Sequence, residues 1–323
     1  MLFFLMCSER SGSNFITKLM NGHKNICGPS VKHIINPVAR NLFRYGDLTQ
    51  EENWRTLVRD IFELFQVKFS IWKYSPTVDE MLALAPRGDV VSLLRNLFMA
   101  EAKEHGKQSV FIKENHTYEF LPFLLFNFPE SKFVYLVRDP RDMALSWKKN
   151  SDHLGGVVQA ARQWKQDQQQ NLKNASLMKG LGKAHFVRYE DLTANTEIEL
   201  HQICDFLGMQ YDPGMLEFHK DKLTQENSKM QKAWNNLSTG IIEDNSNKYL
   251  KELSKQELMA IESICRYEMK HTGYEPVSSE RELDSVTDAD VAVLHKQELD
   301  ALDYSRTEGV KGNMVAKAKF YQR

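Results

Sequence analysis

Two short stretches carry residues whose types and spacing could do chemistry. The first is "CSERSGSN", residues 7–14, where an apolar run stops at Cys7 and a small polar loop with one glycine leads into a new apolar pattern. A strand that ends in such a loop and feeds a helix makes an anion site, because backbone N–H groups and the helix N-terminus converge there. Gly12 lets the backbone approach the anion, while Ser11, Ser13 and Asn14 offer donors. A nucleoside triphosphatase loop reads G-x-x-x-x-G-K-[ST]. Aligned on Gly12, this chain has Cys7 for the first glycine, Ser13 for the lysine and Asn14 for the Mg²⁺-binding hydroxyl residue. The phosphate-bridging cation and a good metal ligand are both gone, which argues against an ordinary kinase or ATPase. Arg10, three residues before the lysine position, supplies a planar fork suited to phosphate or sulfate.

The second stretch is "KFVYLVRDPRDMALSWKKN". A strand over Phe133–Val137 delivers Arg138 at its C-terminal end, where α/β sheets bind ligands. Pro140 fits the start of a helix. Ser146 follows Arg138 by eight residues, about two helical turns, so both can reach one phosphate. Read alone, Arg138 and Arg141 would simply pair with Asp139 and Asp142.

The rest of the chain must position these residues. Apolar runs at Leu2–Met6, Ser109–Ile112, Lys132–Val137 and His185–Tyr189 are nearly continuous in hydrophobicity, as in strands covered on both faces. Helical patterns separate them. One runs from Asn14 to near Gly22. "EFLPFLLFNFP" is apolar all round and is expected to be buried. "GVVQAARQWKQDQQQNLKNASL" is amphipathic, and "TEIELHQICDFLG" ends at a C-cap glycine, Gly208. The alternation predicts a three-layer α/β fold with a central parallel sheet. Residues 40–105 read as an aromatic-rich helical insertion, either packed core or a substrate-side wall. Residues 277–323 turn polar, with a helix capped by Thr287 and Asp290, and end in a basic segment. This extension docks either on the domain or on a partner subunit, the latter giving a homo-oligomer.

At 323 residues, with 42 Lys+Arg against 43 Asp+Glu, the chain has the composition of a soluble globular protein and no charge bias toward nucleic acid. No segment reaches the length of a membrane span. The start "MLFFLMC" lacks the basic region and cleavage site of a signal peptide. Four scattered cysteines fit reduced thiols, so the expectation is a cytoplasmic protein.

Taken together, "RSGSN" and "VRDPRDMALS" resemble the sulfotransferases that use 3′-phosphoadenosine 5′-phosphosulfate (PAPS), whose P-loop NTPase-like fold lacks the kinase lysine and needs no metal. "HFVRYEDLTANTEIELHQICDFLG", "NSKMQKAWNNLSTG" and "YLKELSKQELMAIESICRYEMKHTGYEP" resemble later family segments, so the likeness spans residues 2–276 and leaves out the tail. The resemblance implies a sulfotransferase domain over 1–276, with Arg10, Ser11, Gly12, Ser13 and Asn14 on the 5′-phosphosulfate. It places Phe15 and Tyr189 near the adenine, Arg138 and Ser146 on the 3′-phosphate, and Ser228 or Lys229 beside them from a late loop whose Trp closes over the nucleotide. It implies sulfuryl transfer to an acceptor hydroxyl or amine on a small molecule, carbohydrate or lipid. Cytosolic members carry their base in a K-T-H segment. Here "FIKENHTYEF" has Lys113 and His116 with one extra residue between them. Golgi and bacterial members often use a glutamate after the first helix, where "NICGPSVKHI" has none but holds His33 nearby. His116 is the first choice of base, then His33, then Glu114, with Lys113 assisting at the bridging oxygen or capping its strand. The rival readings are a nucleotide kinase-like phosphotransferase and a non-catalytic nucleotide-binding protein of degenerate fold.

Overall fold

The computed structural model describes residues 1–150, 152–242, 245–301 and 308–323. Five parallel strands form one sheet: β1 (Leu2–Cys7), β2 (Ile26–Cys27), β3 (Ser109–Lys113), β4 (Lys132–Val137) and β5 (Ala184–Arg188), in the order β2-β3-β1-β4-β5. The four strands expected from apolar runs are present. The additional β2 pairs only Ile26 with Ser109 and Cys27 with Val110. Two residues are too short to leave a pattern in sequence.

Alternation explains why β1 is continuously apolar. Leu2, Phe4 and Met6 enter the core on one face of the sheet, whereas Phe3, Leu5 and Cys7 enter the core on the other. β1 pairs with β3 on one side and β4 on the other, so the winding reverses there. In open α/β sheets the crevice beyond the strand ends at such a reversal is where ligands bind. Register places Cys7 beside Leu136 and Val137 beside Arg188, so the residues after β1, β4 and β5 emerge at one edge.

The helices follow the pattern with one correction. Ser13–Gly22, Gly156–Gly180 and Thr196–Leu207 form as expected, the last ended by Gly208 at φ 78°. The helix Leu121–Asn127 is not buried all round: Leu121 and Leu124 face the core, but Phe126 is 85% exposed. Residues 40–105 supply the helices Glu51–Gln66, Val78–Leu82 and Val90–Glu104. Their aromatics mainly fill core, with Trp54, Phe65 and Trp72 buried and the Trp72 ring 5.3 Å from both Phe65 and Phe98.

The polar extension docks on the same chain. The helix Asp288–Asp300 starts at the Thr287–Asp290 capping box, and its Glu298 accepts the N–H groups of Val157 and Val158 at the start of the long helix. The helix Glu308–Gln322 packs on Glu51–Gln66 and on Ile35–Asn41, burying Phe320 completely. Among the described residues no helix is long and apolar enough to cross a membrane, and all four cysteines are free and buried.

Candidate active site

The loop after β1 is shaped by its own backbone. Ser11 Oγ donates to the Ser8 carbonyl at 2.6 Å, which turns it away from the cleft. Gly12 sits at φ 87° as the residue before the helix Ser13–Gly22, whose start has no side-chain cap. Its first N–H groups therefore lack intrahelical partners and suit an anion. A Cβ on Gly12 would lie 2.3 Å from Tyr189 Cδ2 and Cε2, so glycine serves both the turn and a close approach of the ring.

Arg10, Gly12, Ser13, Asn14, Phe15, Arg138, Ser146 and Tyr189 all line one cleft of about 760 Å³. Arg10 Nε donates to Ser146 Oγ at 3.1 Å, tying the first loop to the helix Pro140–Lys148. Arg138 donates to the carbonyls of Arg10 (3.2 Å) and Asn245 (3.0 Å), and its guanidinium lies 4.5 Å from the Tyr189 ring centroid. Among the described residues its Nε is buried without a hydrogen-bond partner. Burial, and then the Arg138 charge, push the Arg10 guanidinium down to about 10 despite Glu9 and Asp152. Two arginines that repel each other across one cleft favour an anion between them. Tyr189 is fixed by Asn245 Nδ2, which donates to its hydroxyl at 2.6 Å, and Phe15 meets it edge-on at 6.4 Å.

The second arginine of "RDPRD" is structural. Arg141 donates to Asp139 at 2.9 and 2.7 Å and to Glu262 at 2.7 Å, all buried. Asp142 instead accepts the N–H groups of Asn247 and Tyr249. Glu190 accepts the Asp139 N–H at 3.0 Å and the Tyr274 hydroxyl at 2.6 Å, locking the ends of β4 and β5 to the closing helix Lys255–Thr272.

The late segment contributes different residues from those expected. Ser228 Oγ donates to the Gln225 carbonyl, and neither Ser228 nor exposed Lys229 lines the cleft. Lys232, Ala233, Asn236, Leu237, Asn245 and Lys248 do. Trp234 is buried against Phe69, with ring centroids 5.5 Å apart, rather than closing over the cleft. Irregular 3₁₀ geometry here carries no periodicity from which the inward residues could be picked.

A second group of titratable side chains gathers beyond the ends of β1 and β3. Lys113 Nζ donates to Asn115 Oδ1 at 2.6 Å, and Asn115 Nδ2 donates in turn to Glu9. His153 Nε2 lies 2.7 Å from the other oxygen of Glu9. Burial raises the Glu9 carboxyl, but the His153 hydrogen bond and charge, with Lys113 and His116, bring it down to about 2. Sequence reasoning missed Glu9, although a carboxylate inside a loop of small residues was a visible signal. His116 is half-buried at φ 52° with Gln163 Nε2 at 3.4 Å. His33, also at positive φ, is buried 3.7 Å from Glu114, and burial with nearby Lys317, Lys113 and His116 holds it well below its ordinary pKa. Glu114 accepts the Ile34 and Ile35 N–H groups through Oε1. Among the described residues its Oε2 has no hydrogen-bond partner, and burial raises the carboxyl to about 7. None of Lys113, Glu114, His116 and His33 lines the arginine cleft itself. Away from both groups, Cys27, Glu101 and His105 bring potential ligand atoms within 4.8 Å. Glu101 is already occupied by His105 and by the N–H groups of Lys73 and Tyr74.

No curated protein matches the sequence. Solved structures do: a sulfotransferase domain from the curacin biosynthetic pathway aligns with TM-score 0.60 at 17% identity, covering 85% of this chain and 97% of that one. A sulfotransferase domain from the Synechococcus PCC 7002 olefin synthase aligns with TM-score 0.59, also at 17% identity, over 85% and 95%. At this identity the likeness concerns the fold, which is P-loop-like with a central parallel sheet. The sequence profile of the sulfotransferase family matches residues 3–213, which include both arginine motifs. The chain belongs to the sulfotransferase family.

Proposed function

We propose that this protein moves a sulfuryl group from PAPS to an acceptor hydroxyl or amine. The observation that carries the reading is the convergence of Arg10 and Arg138 on one cleft beside an uncapped helix N-terminus, with Ser146 and Tyr189 alongside. Arg10 and the Gly12–Asn14 amides hold the 5′-phosphosulfate. Arg138 and Ser146 take the 3′-phosphate, joined by Lys232 or Lys248 where Ser228 and Lys229 were expected. The adenine lies by Phe15 and Tyr189. The lost loop lysine speaks against ATP, and no step calls for a metal.

Transfer is an in-line displacement. The acceptor oxygen bonds to sulfur as the bond from sulfur to the 5′-phosphate oxygen breaks, and that oxygen keeps the electron pair. Arg10 and the helix N-terminus stabilise the charge developing there. The acceptor proton goes to His116, whose neighbour Asn115 is hydrogen-bonded to Glu9 in the same loop as Arg10. A second reading of the base rests on the His33–Glu114 pair: burial keeps His33 neutral at rest but also lowers its basicity, so this reading needs Glu114, 3.7 Å away, to stabilise the incoming proton. The test is a screen of acceptors with radiolabelled sulfate donor, run on the wild type, His116→Ala and His33→Ala. Loss of turnover with nucleotide binding intact marks the base. No labelled product from any acceptor, despite nucleotide binding, would overturn the transfer reading.

A further inference from the structure

We propose that Gln163 and Asp167 are positioning residues for the base, holding neutral His116 with its proton on Nδ1 so that the acceptor's proton enters at Nε2. This rests on the sulfotransferase reading with His116 as base, and it adds how that base is prepared.

The two residues stand four apart on the long helix Gly156–Gly180 and so share one face. Facing them is the turn Thr117–Glu119, pinned to the sheet by the Thr117 hydroxyl, which donates to the Leu5 carbonyl at 3.0 Å. His116 opens that turn in left-handed backbone at φ 52°. The Tyr118 hydroxyl donates to Asp167 Oδ1 at 2.9 Å, and Gln163 Nε2 donates to the same oxygen at 2.8 Å. Asp167 is fully buried, and among the described residues its Oδ2 has no hydrogen-bond partner. The adjacent positions of the helix hold the donor side. Trp164 Nε1 donates to the Arg138 carbonyl at 2.9 Å, and Gln168 Nε2 donates to Ser8 Oγ at 2.7 Å. One helix thus registers the base against both donor loops.

The hydrogen-bond roles leave one assignment. Burial raises the Asp167 carboxyl, opposed by the charge of His116 and the hydrogen bonds of Gln163 and Tyr118. Asp167 acts here as an acceptor twice over, so Gln163 must turn its amide nitrogen toward it. The second hydrogen of that nitrogen is left for His116 Nε2, 3.4 Å away. A ring nitrogen that faces an amide donor carries no proton, so the neutral ring bears its proton on Nδ1. The contact is long, and an acceptor hydroxyl takes Gln163's place at Nε2. Its O–H bond breaks as the N–H bond forms, and the oxygen uses the freed electron pair to attack sulfur. The imidazolium is then stabilised by a buried carboxylate with one oxygen uncommitted. Other titratable groups near the ring are Tyr118 in its own turn, Glu9 of the donor loop and His33, with Lys113 of the preceding strand acting on the last two.

The test uses full-length protein labelled with nitrogen-15 histidine and saturated with the product nucleotide, 3′-phosphoadenosine 5′-phosphate (PAP). Long-range proton–nitrogen spectra near neutral pH read the tautomer, and the signal missing from His116→Ala assigns it. The wild type shows His116 protonated on Nδ1, and Gln163→Leu moves population to the Nε2–H form. Asp167→Asn keeps an acceptor oxygen for both donors but removes the charge. It lowers kcat on the order of tenfold or more, a share of the roughly 10²–10⁴ that a general base supplies. KM for PAPS stays unchanged. The acid limb of its pH–rate profile moves to lower pH, because His116 has lost a neighbouring negative charge. The inference is overturned if wild-type His116 is the Nε2–H form, or if Gln163→Leu leaves the tautomer unchanged. It is also overturned if Asp167→Asn loses activity with the acid limb in place, the mark of a merely structural carboxylate. Undiminished turnover in His116→Ala would instead remove the base assignment beneath it, and failure of the wild type to bind PAP would remove the sulfotransferase reading.

Discussion

Replacing Gly12 by alanine perturbs the cleft at its tightest point, and the cost divides into two separable parts. At φ 87° an L-residue pays a left-handed backbone penalty of about 1–2 kcal/mol. The new Cβ would also sit 2.3 Å from Tyr189, where ordinary contact begins at 3.4 Å, so the ring must retreat by roughly 1 Å. That retreat disturbs the Arg138 guanidinium stacked on Tyr189 and the 2.6 Å hydrogen bond from Asn245. Overpacking of this kind costs about 1–3 kcal/mol. The variant should melt lower and bind PAP at least about tenfold more weakly, since about 1.4 kcal/mol is a factor of ten. A double-mutant cycle with Tyr189→Ala separates the parts. Once the Tyr189 ring has been removed only the backbone penalty remains, leaving an interaction energy of about 1–3 kcal/mol. If Gly12→Ala costs the same in both backgrounds, or binds PAP as the wild type does, the close approach of Tyr189 is not what selects glycine.

Three further outcomes follow from named contacts. Arg10→Ala should lower kcat on the order of 10²-fold or more, as for other donors aimed at developing charge, and steady-state kinetics on any working acceptor reads it. Glu9 is held at about 2, below the ordinary carboxylate range, so its contribution to stability is complete above about pH 5 and is lost as pH falls toward 2. Denaturant melts of Glu9→Gln should therefore lose a stabilisation on the order of 3 kcal/mol near neutrality and show a flatter acid limb than the wild type. Phe320→Ala should destabilise by about 3–5 kcal/mol, because the ring is fully buried under the C-terminal helix; an unchanged urea midpoint would mean that this helix does not dock as described.

What could be read from the sequence was whatever obeys a local rule. β1, β3 and β4 were visible because strands covered on both faces must be apolar throughout, and Gly12 and Arg138 because a turn and a strand end fix their positions. β2 was invisible because two residues make no pattern. Phe126 was misjudged because an apolar composition does not say which face of a short helix meets the core. Ser228 and Lys229 were named by likeness to the family's late loop, but they end the α-helix Lys222–Ser228 away from the cleft. Lys232, in the 3₁₀ helix Lys232–Ser238, and Lys248 line it instead, and no local pattern in the sequence marks that difference. The docking of residues 308–323 was hidden for another reason. Phe320 and Ala316 are buried by partners more than two hundred residues earlier in the chain, among surface-like lysines that suggest a solvated tail.

The central claim, a sulfotransferase donor site in which Arg10 replaces the kinase lysine, is tested most directly by nucleotide calorimetry in the presence of a chelator. The account predicts that PAP binds without metal, that Arg10→Ala and Arg138→Ala each weaken it, and that ATP is a poor competitor. Preference for ATP with a requirement for Mg²⁺ would contradict it.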